Sequence, residues 1–204
     1  MLAEGGVEVQ AVGLAHRIPS FGFLINEAPS PGKLDAGKLL EAGIKPGPIY
    51  GKLKAGLSVD WEGKTLCPED FLGAEIPGRR LAILGDTKDS SRLSALVSQK
   101  GQGIDLICHE ATMEEANLEK ALTFGHSTPS MAVKIAFDCE ASHLVIFHLS
   151  ARYKPVSLCS AEDPESANII EREAKEEMSR LGISDLRLTV AEDFSEVVIP
   201  KKNR

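Results

Sequence analysis

An α/β fold is predicted by two observations. Three short apolar runs, Arg80–Asp86 (R-L-A-I-L-G-D), Ile104–His109 (I-D-L-I-C-H) and Leu144–His148 (L-V-I-F-H), read as strands covered on both faces. The segments between and after them carry helix starts and stops, so strands alternate with helices. Each run also ends in a residue that can hold a metal: Asp86, His109 and His148. Open α/β sheets place their sites beyond the carboxyl ends of their strands. These three residues are therefore expected on one edge of the sheet.

The elements follow in order. Val7–Leu14 and Phe21–Glu27 read as strands on either side of a turn at Pro19. Ala28–Gly32 is a Pro/Gly breaker. Asp35 can cap a short helix through Ala42, stopped by Gly43. Lys45–Gly51 holds two prolines and two glycines and is predicted to be an irregular, stiff loop. Residues 28–60 thus form a polar excursion between core segments, with Tyr50 and Trp61 as its anchors. Ser90–Lys100 and Met113–Leu122 read as helices. Thr128-Pro129 starts another, with the hydroxyl as cap and proline at the first helical position, running to about Cys139. Asp163-Pro164 repeats that signal. The helix it opens carries Ala167, Ile170, Ala174, Met178 and Leu181 on one face, and Gly182 ends it. Leu186–Val190 and Glu196–Ile199 are predicted closing strands.

At 204 residues the chain is one domain, or a domain with an appendage. Hydrophobic content of 43% is ordinary for a globular protein, and no apolar run approaches the roughly 18 residues of a membrane span. The start lacks a basic region followed by an apolar one, so no secretory signal is read and a cytoplasmic or nuclear protein is expected. Cys67, Cys108, Cys139 and Cys159 are scattered without a CxxC pair, which fits reduced thiols used in packing; Cys108 is expected to be buried. The net charge of −7 argues against a general nucleic-acid coat protein. Charge is local, however: between Pro31 and Lys54 stand five lysines (Lys33, Lys38, Lys45, Lys52, Lys54) against Asp35 and Glu41.

Specific words surround the strand ends: GDT at 85–87, HEAT at 109–112, GHST at 125–128 and HLSARY at 148–153. Before them come His16 within L-A-H-R-I-P-S-F-G-F, PGKLD at 31–35 and PGPIYGKLK at 46–54; AEDFSEVVIP follows at 191–200. In this order the chain resembles the short form of ribonuclease Z, the tRNA 3′-processing endonuclease of the metallo-β-lactamase superfamily. The resemblance implies an αββα sandwich and a homodimer that acts on precursor tRNA. It implies that 28–60 is an inserted arm that grips tRNA, with Lys33, Lys38, Lys45, Lys52 and Lys54 on the RNA. The family's H-x-H-x-D-H motif, which lies N-terminal to the matched region, is not in this sequence. The sandwich is accordingly expected to be N-terminally incomplete and the chain to lack activity alone.

By the same resemblance two zinc ions serve the complete site. Asp86 would bridge them, His16 would hold the first and His148 the second. Glu110 and His126 resemble a pair that delivers a proton to the leaving 3′-oxygen, with Glu110 orienting the imidazole. Arg152 would face the phosphate through two aligned donors, with Ser150 beside it. His109 is a supporting residue, and Thr128 serves either the site or the helix cap. His143 matches nothing and is expected to be solvated ahead of its strand. Two rival readings remain: a catalytically dead isoform that binds tRNA or dimerises, and another metallo-β-lactamase-fold hydrolase acting on a small ester.

Overall fold

The computed structural model describes residues 2–4, 6–99, 101–160, 163 and 165–201. In chain order its elements are β1 (Leu2–Glu4), β2 (Val7–Leu14), β3 (Ser20–Glu27), α1 (Ala36–Glu41), α2 (Pro48–Lys54), β4 (Val59–Trp61), β5 (Lys64–Leu66) and α3 (Pro68–Phe71). There follow β6 (Arg80–Leu84), α4 (Ser91–Ser98), β7 (Leu106–Glu110), α5 (Leu118–Phe124), α6 (Pro129–Asp138), β8 (His143–Phe147), α7 (Asn168–Arg180) and β9 (Arg187–Val190). The chain forms two compact units. The first joins the stretch up to Asn26 to Arg80–Ile199, and the second is built on Glu27–Arg79.

The first unit holds a seven-stranded sheet in the order β1-β2-β3-β6-β7-β8-β9. β1 and β2 pair antiparallel, as do β3 and β6; β6 to β9 are mutually parallel. Register explains which face is core. Leu24, Ala82, Ile107 and Leu144 stand in one row across four strands and are fully buried. They pack with Leu93 and Val97 of α4, Val133 and Ala136 of α6, and Ile170 and Ala174 of α7. One residue along each strand, side chains point to the other face. That row is Phe23, Ile83, Cys108 and Val145. Phe23 and Ile83 are 46% and 44% exposed, and nearby Phe21 is 56% exposed. The expectation that all three apolar strands are covered on both faces therefore fails for β6. Cys108, expected to be buried, is only partly so, because it lies on this second face. Its thiol pKa is still raised by desolvation.

The second unit has its own small core of Leu39, Ile44, Leu53 and Leu66, with Tyr50, Trp61 and Phe71 packed against it. Asp35 caps α1 by accepting the Lys38 amide, as the sequence predicts. The two ends of the unit are joined by Arg79, whose Nε and Nη2 donate to the Glu27 carboxylate at 2.7 and 2.5 Å. That pairing holds the Glu27 pKa below the usual carboxylate range. Lys33, Lys38, Lys45, Lys52 and Lys54 are all exposed.

Several expectations are corrected. The loop predicted at Lys45–Gly51 is partly helical. Pro48 opens α2, where a missing N–H costs nothing, and Tyr50 Oη donates to the Ile44 carbonyl at 2.8 Å. The helix expected over Met113–Leu122 becomes a short 3-10 turn, Glu115–Asn117, followed by α5. α4 ends at Ser98, and Lys100 lies outside the described residues. α7 begins at Asn168, not at Asp163-Pro164; Pro164 lies outside the described residues. The chain just before α7 is instead bridged to Lys154, through Lys154 N to Glu165 O and Ala167 N to Lys154 O. Glu196–Ile199 is not a strand, and Val198 there is 78% exposed. His143 is buried rather than solvated, because its Nε2 meets Thr189 Oγ1 of β9 at 2.9 Å.

The open row on β3 and β6 generates an expectation. The isolated chain should bind an apolar fluorescent dye strongly and scatter light as a dimer or larger species. Phe23→Lys with Ile83→Lys should reduce both. A monodisperse monomer that binds no dye would contradict the open face.

Candidate active site

The C-terminal ends of β6, β7 and β8 lie side by side, since Glu110 pairs with Phe147 and Ile83 with Cys108. Asp86 leaves β6, Glu110 ends β7, and His148 follows β8 directly. Two loops bring further groups to this edge. His16 follows β2, where Ala15 is bridged to Asp89. His126 lies between α5 and α6.

Glu110 organises the site. Its side chain is fully buried and accepts five hydrogen bonds. Oε1 takes the Thr87 amide at 2.7 Å and His126 Nδ1 at 2.9 Å. Oε2 takes the Thr112 amide at 3.2 Å, Thr112 Oγ1 at 2.6 Å and the Ser127 amide at 3.1 Å. A buried carboxylate is costly unless its lone pairs are met. Here the donors come from the loops after β6 and β7 and before α6, so the carboxylate ties three loops together. Ser127 Oγ adds a bond to the Thr87 carbonyl at 2.5 Å.

The histidines are held by their Nδ1 atoms. His16 Nδ1 donates to the Gly125 carbonyl at 2.8 Å. Gly125 has φ +86° and ends α5, and a Cβ there would come 2.6 Å from His16 Nδ1. Only glycine meets both conditions. His126 Nδ1 donates to Glu110, so its Nε2 is the nitrogen left for other chemistry. His148 stands at φ +57°, in the left-handed region, with Nδ1 3.0 Å from Thr112 Oγ1 and 3.5 Å from Asp86 Oδ1. The His16 and His126 rings are 5.0 Å apart, and those of His126 and His148 5.4 Å. Two groups bring ligand atoms within 4.8 Å of one another: His16, Asp86 and His126, and Glu110, His126 and His148. Imidazole and carboxylate donors in this arrangement suit zinc. Glu110 is the weakest candidate ligand, because its oxygens are already engaged.

The residues singled out from sequence sort as follows. His16, Asp86, Glu110, His126 and His148 come together. His109 sits behind them, fully buried, with Nδ1 donating to the Glu110 carbonyl at 2.6 Å and Nε2 meeting Ser90 Oγ at 2.9 Å. Thr128 precedes α6, but its hydroxyl makes no capping bond and, among the described residues, is buried without a hydrogen-bond partner; Glu115 caps that helix through the Ser130 amide instead. The Ser150 amide donates to the Thr112 carbonyl. Arg152 donates to Glu114 Oε2 at 2.6 Å and lies over the Tyr153 ring. Sequence reasoning missed Thr87, Thr112, Gly125 and Ser127. All four lie inside the words GDT, HEAT and GHST, which were their only signal.

The sheet with its rim of histidines and carboxylates has the type of fold seen in solved metallo-β-lactamase fold proteins. The structure resembles the metallo-β-lactamase fold protein YhfI from Bacillus subtilis with a TM-score of 0.52 at 11% identity, over 94% of this chain and 49% of that one. It also resembles human tRNase Z, short form (ELAC1), with a TM-score of 0.52 at 26% identity, over 98% of this chain and 46% of that one. In sequence the chain is 45% identical over 200 residues to zinc phosphodiesterase ELAC protein 1 of Bos taurus, covering 95% of this chain and 52% of the relative. No family model matches. The chain is a homologue of the short-form tRNase Z proteins and spans about half the length of the curated relatives it matches. Among the described residues no helix is long and apolar enough to cross a membrane.

Burial sets a pH dependence. The pKa values of His109 and His143 are lowered, in both cases chiefly by desolvation. Below the unfolded value of about 6.5 the unfolded chain then binds more protons than the folded one. Stability should fall as pH drops from about 6.5 towards 5, by up to roughly 1.4 kcal/mol per pH unit for each histidine. Glu173, whose pKa burial raises, opposes this at the lower end. Urea melts across the window check the slope, and His109→Gln should flatten it. Constant or rising stability would contradict the burial of these rings.

Proposed function

We propose that this chain supplies one half of a zinc-dependent endonuclease that removes 3′ trailers from precursor tRNA. The cluster of His16, Asp86, His126 and His148 around the Glu110 carboxylate carries this reading, and the 45% identity to a zinc phosphodiesterase supports it. Zinc, when bound, lowers the pKa of coordinated water and neutralises charge on a phosphate. His16, Asp86 and His148 would hold it. His126, oriented through Nδ1 by Glu110, would present Nε2 as the proton donor to the leaving 3′-oxygen. Arg152 would exchange Glu114 for a phosphate. The exposed lysines of the second unit, Lys33, Lys38, Lys45, Lys52 and Lys54, would hold the RNA backbone, which is the arm role proposed for 28–60. We place the protein in the cytoplasm or nucleus, as a homodimer.

One observation favours a second reading, a tRNA-binding isoform without catalysis. His16, Asp86 and His148 are too few to fill two zinc coordination shells. The chain alone should hold fewer than two zinc ions, and weakly. Metal analysis after dialysis showing two tightly bound zinc ions per chain would contradict this. Activity restored by adding the complementary half of a relative, and abolished by Asp86→Ala, favours the endonuclease; tRNA binding without restored cleavage favours the isoform.

Deleting Pro31–Lys54 would remove Leu39, Ile44 and Leu53, three of the four core residues of the second unit. Charge changes at exposed lysines are therefore the sharper test of the arm. Lys45→Glu, Lys52→Glu and Lys54→Glu together should weaken precursor-tRNA binding. The slope of log affinity against log salt should flatten by about 0.7–0.9 for each phosphate that a lysine no longer neutralises. Unchanged affinity and slope in filter binding would contradict the arm.

A further inference from the structure

Building on the reading of His148 as a metal position, we propose that Thr112 sets the tautomer of His148, keeping its hydrogen on Nδ1 and leaving Nε2 bare for a cation. Thr112 Oγ1 has one hydrogen to give and two lone pairs. It stands 2.6 Å from Glu110 Oε2, 3.0 Å from the His148 carbonyl, 3.0 Å from His148 Nδ1 and 3.4 Å from His126 Nδ1. His126 spends its Nδ1 hydrogen on Glu110 Oε1. The carboxylate is the closest of the acceptors and the charged one, so it takes the hydroxyl hydrogen. Were the His148 carbonyl to take it, the outcome for the ring would be the same. Either way Oγ1 turns a lone pair to His148 Nδ1, and a 3.0 Å approach there holds only if Nδ1 is the donor. The other neighbour of Nδ1, Asp86 Oδ1 at 3.5 Å, is also an acceptor.

Two further facts make Thr112 a positioning residue. His148 sits at φ +57°, a conformation that residues with side chains rarely adopt, so something must hold the turn. Thr112 grips it on both sides, through Oγ1, which accepts from His148 Nδ1, and through its carbonyl, which accepts the Ser150 amide at 3.0 Å. A free imidazole in water favours the hydrogen on Nε2, so the opposite tautomer needs a local cause. Glu110 thereby orients two histidines: His126 directly through Oε1, and His148 through Oε2 and the Thr112 hydroxyl. Support of this kind fixes the ring of a metal-binding histidine.

The test needs no metal and no activity. Long-range 1H–15N spectra of the chain would be recorded above about pH 8, where imidazoles are neutral, with His148→Gln identifying the His148 signals by their disappearance. The wild type should show His148 with Nδ1 protonated and Nε2 as the pyridine-type nitrogen. Thr112→Val, equal in shape but without the hydroxyl, should move His148 towards the Nε2-protonated pattern, while Thr112→Ser should keep the wild-type pattern. A Thr112→Val spectrum unchanged at His148 overturns the proposal. If the valine variant does not fold, the wild type alone decides: Nε2-protonated His148 overturns it. A failure of zinc binding would sink the metal reading and leave these spectra as they are, so the two are separable.

Discussion

The site depends on one buried carboxylate. Glu110 ends a central strand, and burying it is tolerable only because five donors meet its two oxygens. Those donors sit on loops far apart in the chain. Thr87, Thr112 and Ser127 are aligned to one another because each must reach the same two atoms. His126 inherits its orientation from the same group. The positions of Asp86 and His148 follow at one remove, through the GDT turn and through the Thr112 hydroxyl. Removing one acceptor oxygen would strand several donors at once, which is far more disruptive than losing an exposed hydrogen bond.

The sheet supplies the frame for that carboxylate. Parallel pairing of β6, β7 and β8 brings three strand ends into line, and the row Leu24, Ala82, Ile107 and Leu144 locks the sheet to its helices. A one-residue slip in any of these strands would turn its core side chains to the other face and carry the site residue away from the edge. Stability and site geometry are thus set by the same register. The open face of β3 and β6 belongs to the same register, since it is the odd row to the buried even one.

Much of this was legible from the residues. Short apolar runs ending in Asp86, His109 and His148 announce strands with functional ends, and Thr128-Pro129 marks the helix start beside His126. Other features were hidden for physical reasons. Pro48 in a Pro/Gly-rich stretch signals a turn as readily as a helix start, and only the packing of Leu53 into a small separate core decides for α2. His143 reads as solvated until Thr189, 46 residues later, is brought beside it by β8–β9 pairing. Arg152 reads as a phosphate ligand, yet its donor already rests on Glu114, a partner no local pattern reveals. The Thr112 hydroxyl reads as part of a word; its role is apparent only once Glu110 and His148 stand on either side of it.

Hydrogen exchange at the three amides that Glu110 binds tests this most directly. Thr87, Thr112 and Ser127 lie on different loops, and a shared carboxylate requires them to open together. Their amides should exchange at closely similar protection, and Glu110→Gln should accelerate all three while β8 amides stay protected. Three unrelated protection levels, or a glutamine variant that leaves any of these amides unaffected, would contradict the claim that this carboxylate holds the site together.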